Sequence, residues 1–270
     1  MIPYPFAYHR PNSLSEAQSL LASLPDAKLL AGGQTLVPAM KLRLANPAAL
    51  IDISNVRELS LIRDDGANLS IGAGAKHADV AQSVSVKQTI PALSALAEGI
   101  GDSAVRHMGT LGGSVANNDP AADYPAACLG LGATVRTTRR SVSADDFFTG
   151  MFSTDLEDGE IIIDISFPKP LRAAYAKFEN PASRYAMVGV FVAQFAASAR
   201  VAVTGAAPCV FRVPEMEAAL AGNFIPDSIS AIKISPEGLN ADIHGSAEYR
   251  AHLVTVMAKR AVKLALGTPT

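Results

Sequence analysis

Leu29-Leu30-Ala31-Gly32-Gly33-Gln34-Thr35-Leu36 and, further on, Gly109-Thr110-Leu111-Gly112-Gly113-Ser114-Val115-Ala116-Asn117-Asn118-Asp119-Pro120-Ala121-Ala122-Asp123 are the two stretches on which the reading of this chain turns. In the first, Lys28 to Ala31 reads as a short buried strand, and Leu36 to Leu44 resumes with helical spacing. The glycine pair between them lets the backbone turn sharply with no Cβ in the way. Several amides can then converge on one anion, and the positive end of the following helix adds to the attraction. Such a loop suits a pyrophosphate. It is neither a GxGxxG fingerprint nor a loop followed by a Walker lysine, and taken alone Gly-Gly also marks a plain turn.

The second stretch sets another glycine pair between two hydroxyls, Thr110 and Ser114. The glycine amides, Thr110, Ser114 and Asn117 can donate to a diphosphate, and Asp123 can accept from a ribose or ribityl hydroxyl. The competing reading is a solvent loop with helix caps at Asn118 and Asp123. Gly72-Ala73-Gly74 is a weaker third candidate, since it lacks hydroxyls and sits where a strand turns or bulges.

Outward from these stretches, Asn12-Ser13-Leu14-Ser15-Glu16 reads as a helix start. It leads into the apolar stripe Leu14, Ala17, Leu20, Leu21 and Leu24, which Pro25-Asp26 ends. Strands are expected over Leu50–Ile53, Leu69–Ala73, Ala133–Thr137 and Ile161–Phe167, with helices over Asp79–Ser83, Ile90–Ile100 and Ala126–Leu131. Pro168 to Ala174 is a plausible boundary. Beyond it, Tyr185–Ala197 and Val201–Gly205 read as antiparallel strands, and Met216–Leu220 and Ala247–Leu266 as helices.

The chain has 270 residues, 49% of them hydrophobic and 18% charged, a composition that packs into two or three small domains. No apolar run approaches the length of a membrane span, and the start has no signal-peptide pattern, so the cytoplasm is the expected location. A net charge of -2 without a basic cluster argues against nucleic acid as a partner. Cys128 and Cys209 are far apart, so the chain cannot hold an iron–sulfur cluster by itself. His77, His107 and His244 lack metal-like spacing. No nucleophile–base pair stands out, which fits a protein whose chemistry belongs to a cofactor.

At the two glycine stretches the chain resembles the FAD-binding medium subunits of molybdenum hydroxylases, the xanthine dehydrogenase and carbon monoxide dehydrogenase type. "LLAGGQTLVPAMKLRL" (Leu29 to Leu44) is similar to their first pyrophosphate segment and "IGDSAVRHMGTLGGSVANNDPAADYPAA" (Ile100 to Ala127) to their second. "IGAGAKHADV" (Ile71 to Val80) resembles the segment between, and "DIHGSAEYRAHLVTVMAKRAV" (Asp242 to Val262) the closing segment. One departure is Arg106-His107-Met108-Gly109-Thr110, where the family often has Arg-Asn-Arg-Gly-Thr.

The resemblance implies an α+β fold of vanillyl-alcohol oxidase (PCMH) type. An FAD-binding domain over 1–170, with subdomains of about 1–55 and 56–170, would be followed by a C-terminal α+β domain of carbon monoxide dehydrogenase flavoprotein type over 171–270. It implies extended, non-covalent FAD; Gln34 stands where covalent flavoproteins of this fold often have histidine. Carried over by motif, Leu29, Leu30, Ala31, Gly32, Gly33, Gln34, Thr35 and Leu36 would wrap the pyrophosphate and ribityl chain. Thr110, Leu111, Gly112, Gly113, Ser114 and Asn117 would meet the pyrophosphate from the other side, and Asp123 would bind a sugar hydroxyl. Ile100 would form an apolar wall, Ile162 would contact the isoalloxazine, and Lys177 would be the cation near the flavin.

Implied partners are a large molybdopterin subunit and a small subunit with two [2Fe–2S] clusters, assembled as a dimer of heterotrimers. Read without the resemblance, Lys177 is a solvated strand lysine, Tyr185 a core tyrosine, His107 a surface residue and Asp155 to Glu160 a solvated turn. The rival functions are a self-sufficient flavin oxidase or dehydrogenase of the same fold, and a flavin-free interaction module.

Overall fold

The computed structural model describes residues 2–267. Three larger sheets, each with its own helices, follow one another along the described residues, and a two-stranded hairpin adds a fourth.

The first is a parallel sheet in which β3 (Ala49–Asp52) lies between β1 (Ala7–His9) and β2 (Ala27–Leu30). Helix α1 (Leu14–Ser23) joins β1 to β2, and α2 (Leu36–Lys41) leads from β2 toward β3. Ser13 caps α1 by accepting the Glu16 amide, while the Glu16 carboxylate accepts the Asn12 amide, so two helix-start donors are satisfied. The stripe anticipated for α1 does face inward: Ala17, Leu20 and Leu21 pack with Ile51, Val56 and Leu59. Ile161 and Ile163, from far along the chain, complete that core and fasten this unit to the next. Helix α2 ends at Lys41, short of the expected Leu44, because Arg43 turns into the left-handed region.

The second unit is an antiparallel sheet in the order β4 (Ile62–Asp64), β5 (Asn68–Gly72), β10 (Ile162–Pro168), β6 (Thr134–Thr137), β7 (Ser141–Ser143). Between β5 and β6 run α3 (His77–Gln82), α4 (Val84–Thr89), α5 (Pro91–Glu98), α6 (Ser103–Arg106), α7 (Leu111–Asn117) and α8 (Tyr124–Leu131). Short α9 (Ala144–Phe147) and the hairpin of β8 (Phe148–Gly150) and β9 (Ser153–Thr154) precede β10. The expected helix over Ile90–Ile100 is α5; Pro91 starts it, where a missing amide costs nothing.

The third unit is an antiparallel sheet of β11 (Arg172–Glu179), β12 (Ala186–Gln194), β13 (Ala199–Thr204) and β14 (Phe211–Arg212), with α10 (Pro214–Gly222) and the long α11 (Ala247–Ala265). The β12–β13 turn closes without an Asp-Gly pair, through the Phe195 amide donating to the Ser198 carbonyl. Strand β12 is buried from Ala186 to Ala193 because α8 covers one of its faces and α11 the other. Every residue of α8 is buried as well.

Phe191 projects from β12 into the core of the second unit, and Gly130 of α8 leaves the space for it: a Cβ on Gly130 would lie 2.7 Å from the phenyl ring. Phe191→Ala removes this plug and should destabilise the chain by about 3–5 kcal/mol in denaturant unfolding. The loss should appear as a single transition reported equally by both halves. Early unfolding confined to the C-terminal part would show that α8 does not couple them.

Candidate functional site

A groove of about 760 Å³ runs where the three units meet. One wall is the β2–α2 connection, Leu29 to Leu36. The opposite wall is the segment Gly109 to Asn117, continued by Asp119 and Asp123. Thr154 to Ile162 closes one end, and Ser183, Arg184 and Tyr185, from the β11–β12 hairpin, lie over another part.

The two glycine pairs do different work. A Cβ on Gly32 would fall 2.2 Å from the Met108 carbonyl and 2.6 Å from the Gly109 Cα, so Gly32 lets the two walls touch, backbone on backbone. Gly33 holds a φ of +68°, which other residues adopt only with strain. Among the described residues, no acceptor takes the amides of Gly32, Gly33, Gln34, Thr35 or Leu36, and all five residues line the groove. This is a donor-rich concavity of the kind a diphosphate needs.

The second segment differs from its expected form. It is the start of α7 rather than a loop, and its amides are already used: Leu111 donates to Ala75, Gly112 to Ala73, Gly113 to the Thr110 hydroxyl and Ser114 to the Thr110 carbonyl. The glycine amides therefore cannot form a second nest, and only side chains such as Thr110, Ser114 and Asn117 are left to meet a ligand. Gly112 serves packing, since its Cβ would lie 2.4 Å from that of Ala73. Leu111 does not line the groove: it is fully buried in the core. Helix periodicity explains this, because Leu111 and Val115 share the inner face while Thr110, Ser114 and Asn117 share the outer one.

Ile100 and Ile162 are apolar parts of the lining. Asn118, one of the two possible caps, ends α7 in the left-handed region, and its amide donates to Gly150 and Ser153 of the hairpin. Asp123 stands at the N-cap position of α8 without a side-chain capping bond, and is 5% exposed. Its carboxylate accepts the Tyr175 hydroxyl at 2.5 Å and faces the Lys177 ammonium at 3.2 Å. Burial pushes the Asp123 carboxyl up, and Lys177 and Tyr175 pull it back.

Lys177 is no solvated lysine, for its side chain is 9% exposed. Nor does it line the groove. Its ammonium donates to the Gly99 and Arg184 carbonyls, each at 2.9 Å, besides meeting Asp123. An ammonium has three donors, and these contacts occupy them.

Three further features lacked a clear signal in the sequence. The turn Asp155 to Glu160 is only partly solvated: the Glu160 carboxylate accepts from Thr137, Arg140 and the Glu157 amide, and these contacts, Arg140 foremost, hold it down at about 2 against the cost of burial. Tyr185 is half exposed over the groove, not in the core. His77, at the start of α3, lies in the lining under Gly109, whose Cβ would sit 2.6 Å from the imidazole Nε2. Burial, with the Arg106 charge adding to it, pushes His77 down to about 4. His107 is on the surface.

Residues 4–170 match the family model described as the FAD binding domain in molybdopterin dehydrogenase, and residues 173–265 the carbon monoxide dehydrogenase flavoprotein C-terminal domain. The carbon monoxide dehydrogenase medium chain of Hydrogenophaga pseudoflava is 36% identical, covering 98% of each chain. The nicotine 6-hydroxylase medium subunit of Paenarthrobacter nicotinovorans is 35% identical over 94% of this chain and 95% of its own. Among solved structures, quinoline 2-oxidoreductase from Pseudomonas putida 86 superposes with a TM-score of 0.90 at 32% identity, covering 99% of both chains. The chain belongs to the FAD-binding medium-subunit family of molybdenum hydroxylases, and is thus an oxidoreductase subunit with FAD as its cofactor. The groove fits that cofactor in its open amides, its apolar ends and its acceptor Asp123. No described helix is long and apolar enough to cross a membrane.

His77 gives the fold an acid weakness. Between pH 6.5 and about 4 the unfolded chain takes up a proton that the folded imidazole refuses, so stability falls with acidification by roughly 3 kcal/mol across that window. Glu160 adds to the loss below its ordinary 4.5, because folding holds it down. His77→Gln should flatten the dependence between pH 6.5 and 4.5 in urea titrations. An unchanged slope would place its origin elsewhere.

Proposed function

We propose that this chain is the electron-transfer subunit of its complex: it passes electrons from a partner's iron–sulfur clusters, through bound FAD, to an external acceptor. The observation that carries this reading is the groove itself, in which a nest of amides with no acceptor among the described residues and a set of hydroxyl and amide side chains both line the wall. The partners would be a large molybdopterin subunit and a small subunit with two [2Fe–2S] clusters, in a dimer of heterotrimers. FAD supplies the redox chemistry when bound.

The residues of this chain bind and orient. The Gly32 to Leu36 amides would take the diphosphate, with Thr110, Ser114 and Asn117 opposite. Asp123 would accept from a sugar or ribityl hydroxyl. Leu29, Leu30, Ile100 and Ile162 would cover flat apolar surface, and Tyr185 would shield one side from water. Gln34 stands in the first glycine segment and offers no histidyl link, so FAD is held non-covalently.

The glycine substitutions separate binding from folding. Gly33→Val forces a β-branched residue into a φ of +68°, and Gly113→Val places bulk beside the Thr110 hydroxyl at the groove wall. Both should reduce bound flavin, read by absorbance per chain, to near zero while circular dichroism stays native. Gly112→Ala meets Ala73 instead and should lower stability by about 1–3 kcal/mol with less effect on FAD affinity. Normal flavin content in both valine variants would show that the groove is not the site.

On this reading the isolated chain should not oxidise organic substrates, because that chemistry would belong to the molybdopterin subunit while this chain binds and orients FAD. Anaerobic incubation with purines, aldehydes, carbon monoxide and N-heterocycles should leave the flavin oxidised, whereas dithionite followed by a dye acceptor should turn over. Rapid bleaching by an organic substrate would favour a self-sufficient enzyme.

A further inference from the structure

The segment that carries Asp123 is held from the C-terminal sheet. The Thr204 hydroxyl of β13 donates to the Ala122 carbonyl at 2.7 Å, with the Pro120 carbonyl 3.0 Å away, and the Gly205 amide donates to Pro120. Tyr175 and Lys177, two apart on β11 and so on one face of the strand, converge on the Asp123 carboxylate. Tyr175 is admitted by a gap in the neighbouring strand: a Cβ on Gly189 would fall 2.1 Å from the Tyr175 hydroxyl and 2.8 Å from its ring. A buried carboxylate with two such donors still has lone pairs to spare, and Asp123 lines the groove.

We propose that Tyr175 is a positioning residue for the cofactor. Its hydroxyl, seated in the space left by Gly189, works with Lys177 to hold the Asp123 carboxylate as a charged acceptor for a hydroxyl of bound FAD. The C-terminal domain thereby completes a site whose walls belong to the other two units. The inference rests on the reading that FAD lies against Asp123. It differs from the direct flavin role implied for Lys177, whose donors are spent on Gly99, Arg184 and Asp123. Here both side chains act through the carboxylate.

The consequence is a pH signature. Asp123 faces Lys177, Tyr175 and Glu179 of β11, Tyr124 of α8 and Tyr185 of the hairpin loop. Lys177 and Tyr175 favour the carboxylate, and Glu179 opposes it. Acid protonates Asp123 and weakens its grip on a hydroxyl donor. Removing the Tyr175 hydroxyl removes one of the contacts that delay protonation, so the weakening should begin at higher pH. His77 also lines the groove, but burial holds it down at about 4, below the window of the comparison.

The test is FAD affinity of the full chain, measured by flavin fluorescence from pH 5 to 9, for wild type, Tyr175→Phe, Lys177→Met and Asp123→Asn. In Tyr175→Phe, affinity should match wild type at high pH, and the midpoint of its loss should move up by about one pH unit. Lys177→Met should shift it further in the same direction and serves as the independent arm should Tyr175→Phe fold poorly. Asp123→Asn should bind weakly at every pH tested. An unmoved midpoint, or weakening by one constant factor at every pH, overturns the positioning role. If Asp123→Asn keeps wild-type affinity and profile, FAD does not lie against Asp123, and the reading beneath the inference fails with it. Loss of affinity in Asp123→Asn with an unmoved Tyr175→Phe midpoint sinks the inference alone.

Discussion

The contact of Gly32 with Met108 and Gly109 is the constraint on which the site depends. Two backbones meet there with no side chain between them, at 2.2 Å from the place a Cβ would occupy. Such an approach is open to glycine alone. It sets the spacing of the two walls where they touch, and the groove opens beside that contact, between Leu29 to Leu36 on one side and Thr110 to Asn117 on the other. The apolar seam of Ile161 and Ile163 against α1 and β3 holds the same two units together from behind. The walls are thus fixed by burial and backbone contact before a ligand supplies any energy, which lowers the cost of ordering them on binding.

Most of this architecture was legible in the sequence, and the exceptions have physical causes. The stripe of α1, the strand before Gly32 and the apolar run of β12 were visible because burial imposes a period or a continuous apolar run. The family resemblance located both walls of the groove. What remained hidden was the use of individual atoms. Paired glycines look alike on paper, yet Gly33 turns the chain and leaves amides open, while Gly112 and Gly113 lie within a helix whose amides are spent. Leu111, inside a glycine-rich motif, is a core residue because the helix turns it inward.

In the acidic turn Asp155 to Glu160, Glu157 to Gly159 are exposed as a solvated turn requires, while Glu160 is buried for a related reason. The partner of Glu160, Arg140, lies in the turn between β6 and β7, and the pairing has no sequence signal of its own. Lys177 and Tyr175 likewise take their meaning from Asp123, which is remote along the chain. Strand periodicity places them on one face, and only the packing of β11 against α5 and the approach of the 119–123 segment says what that face meets. Pairwise electrostatic roles of this kind emerge with tertiary structure.

Helix α8 lies between two sheets with no residue turned to water. During synthesis it leaves the ribosome before β12 and β13, the strands that cover it, have been made. The nascent first half must therefore shelter an apolar helix until the second half arrives. The order of events follows from that geometry: the groove, whose lining runs on to Tyr185, is complete only once the β11–β12 hairpin has been made.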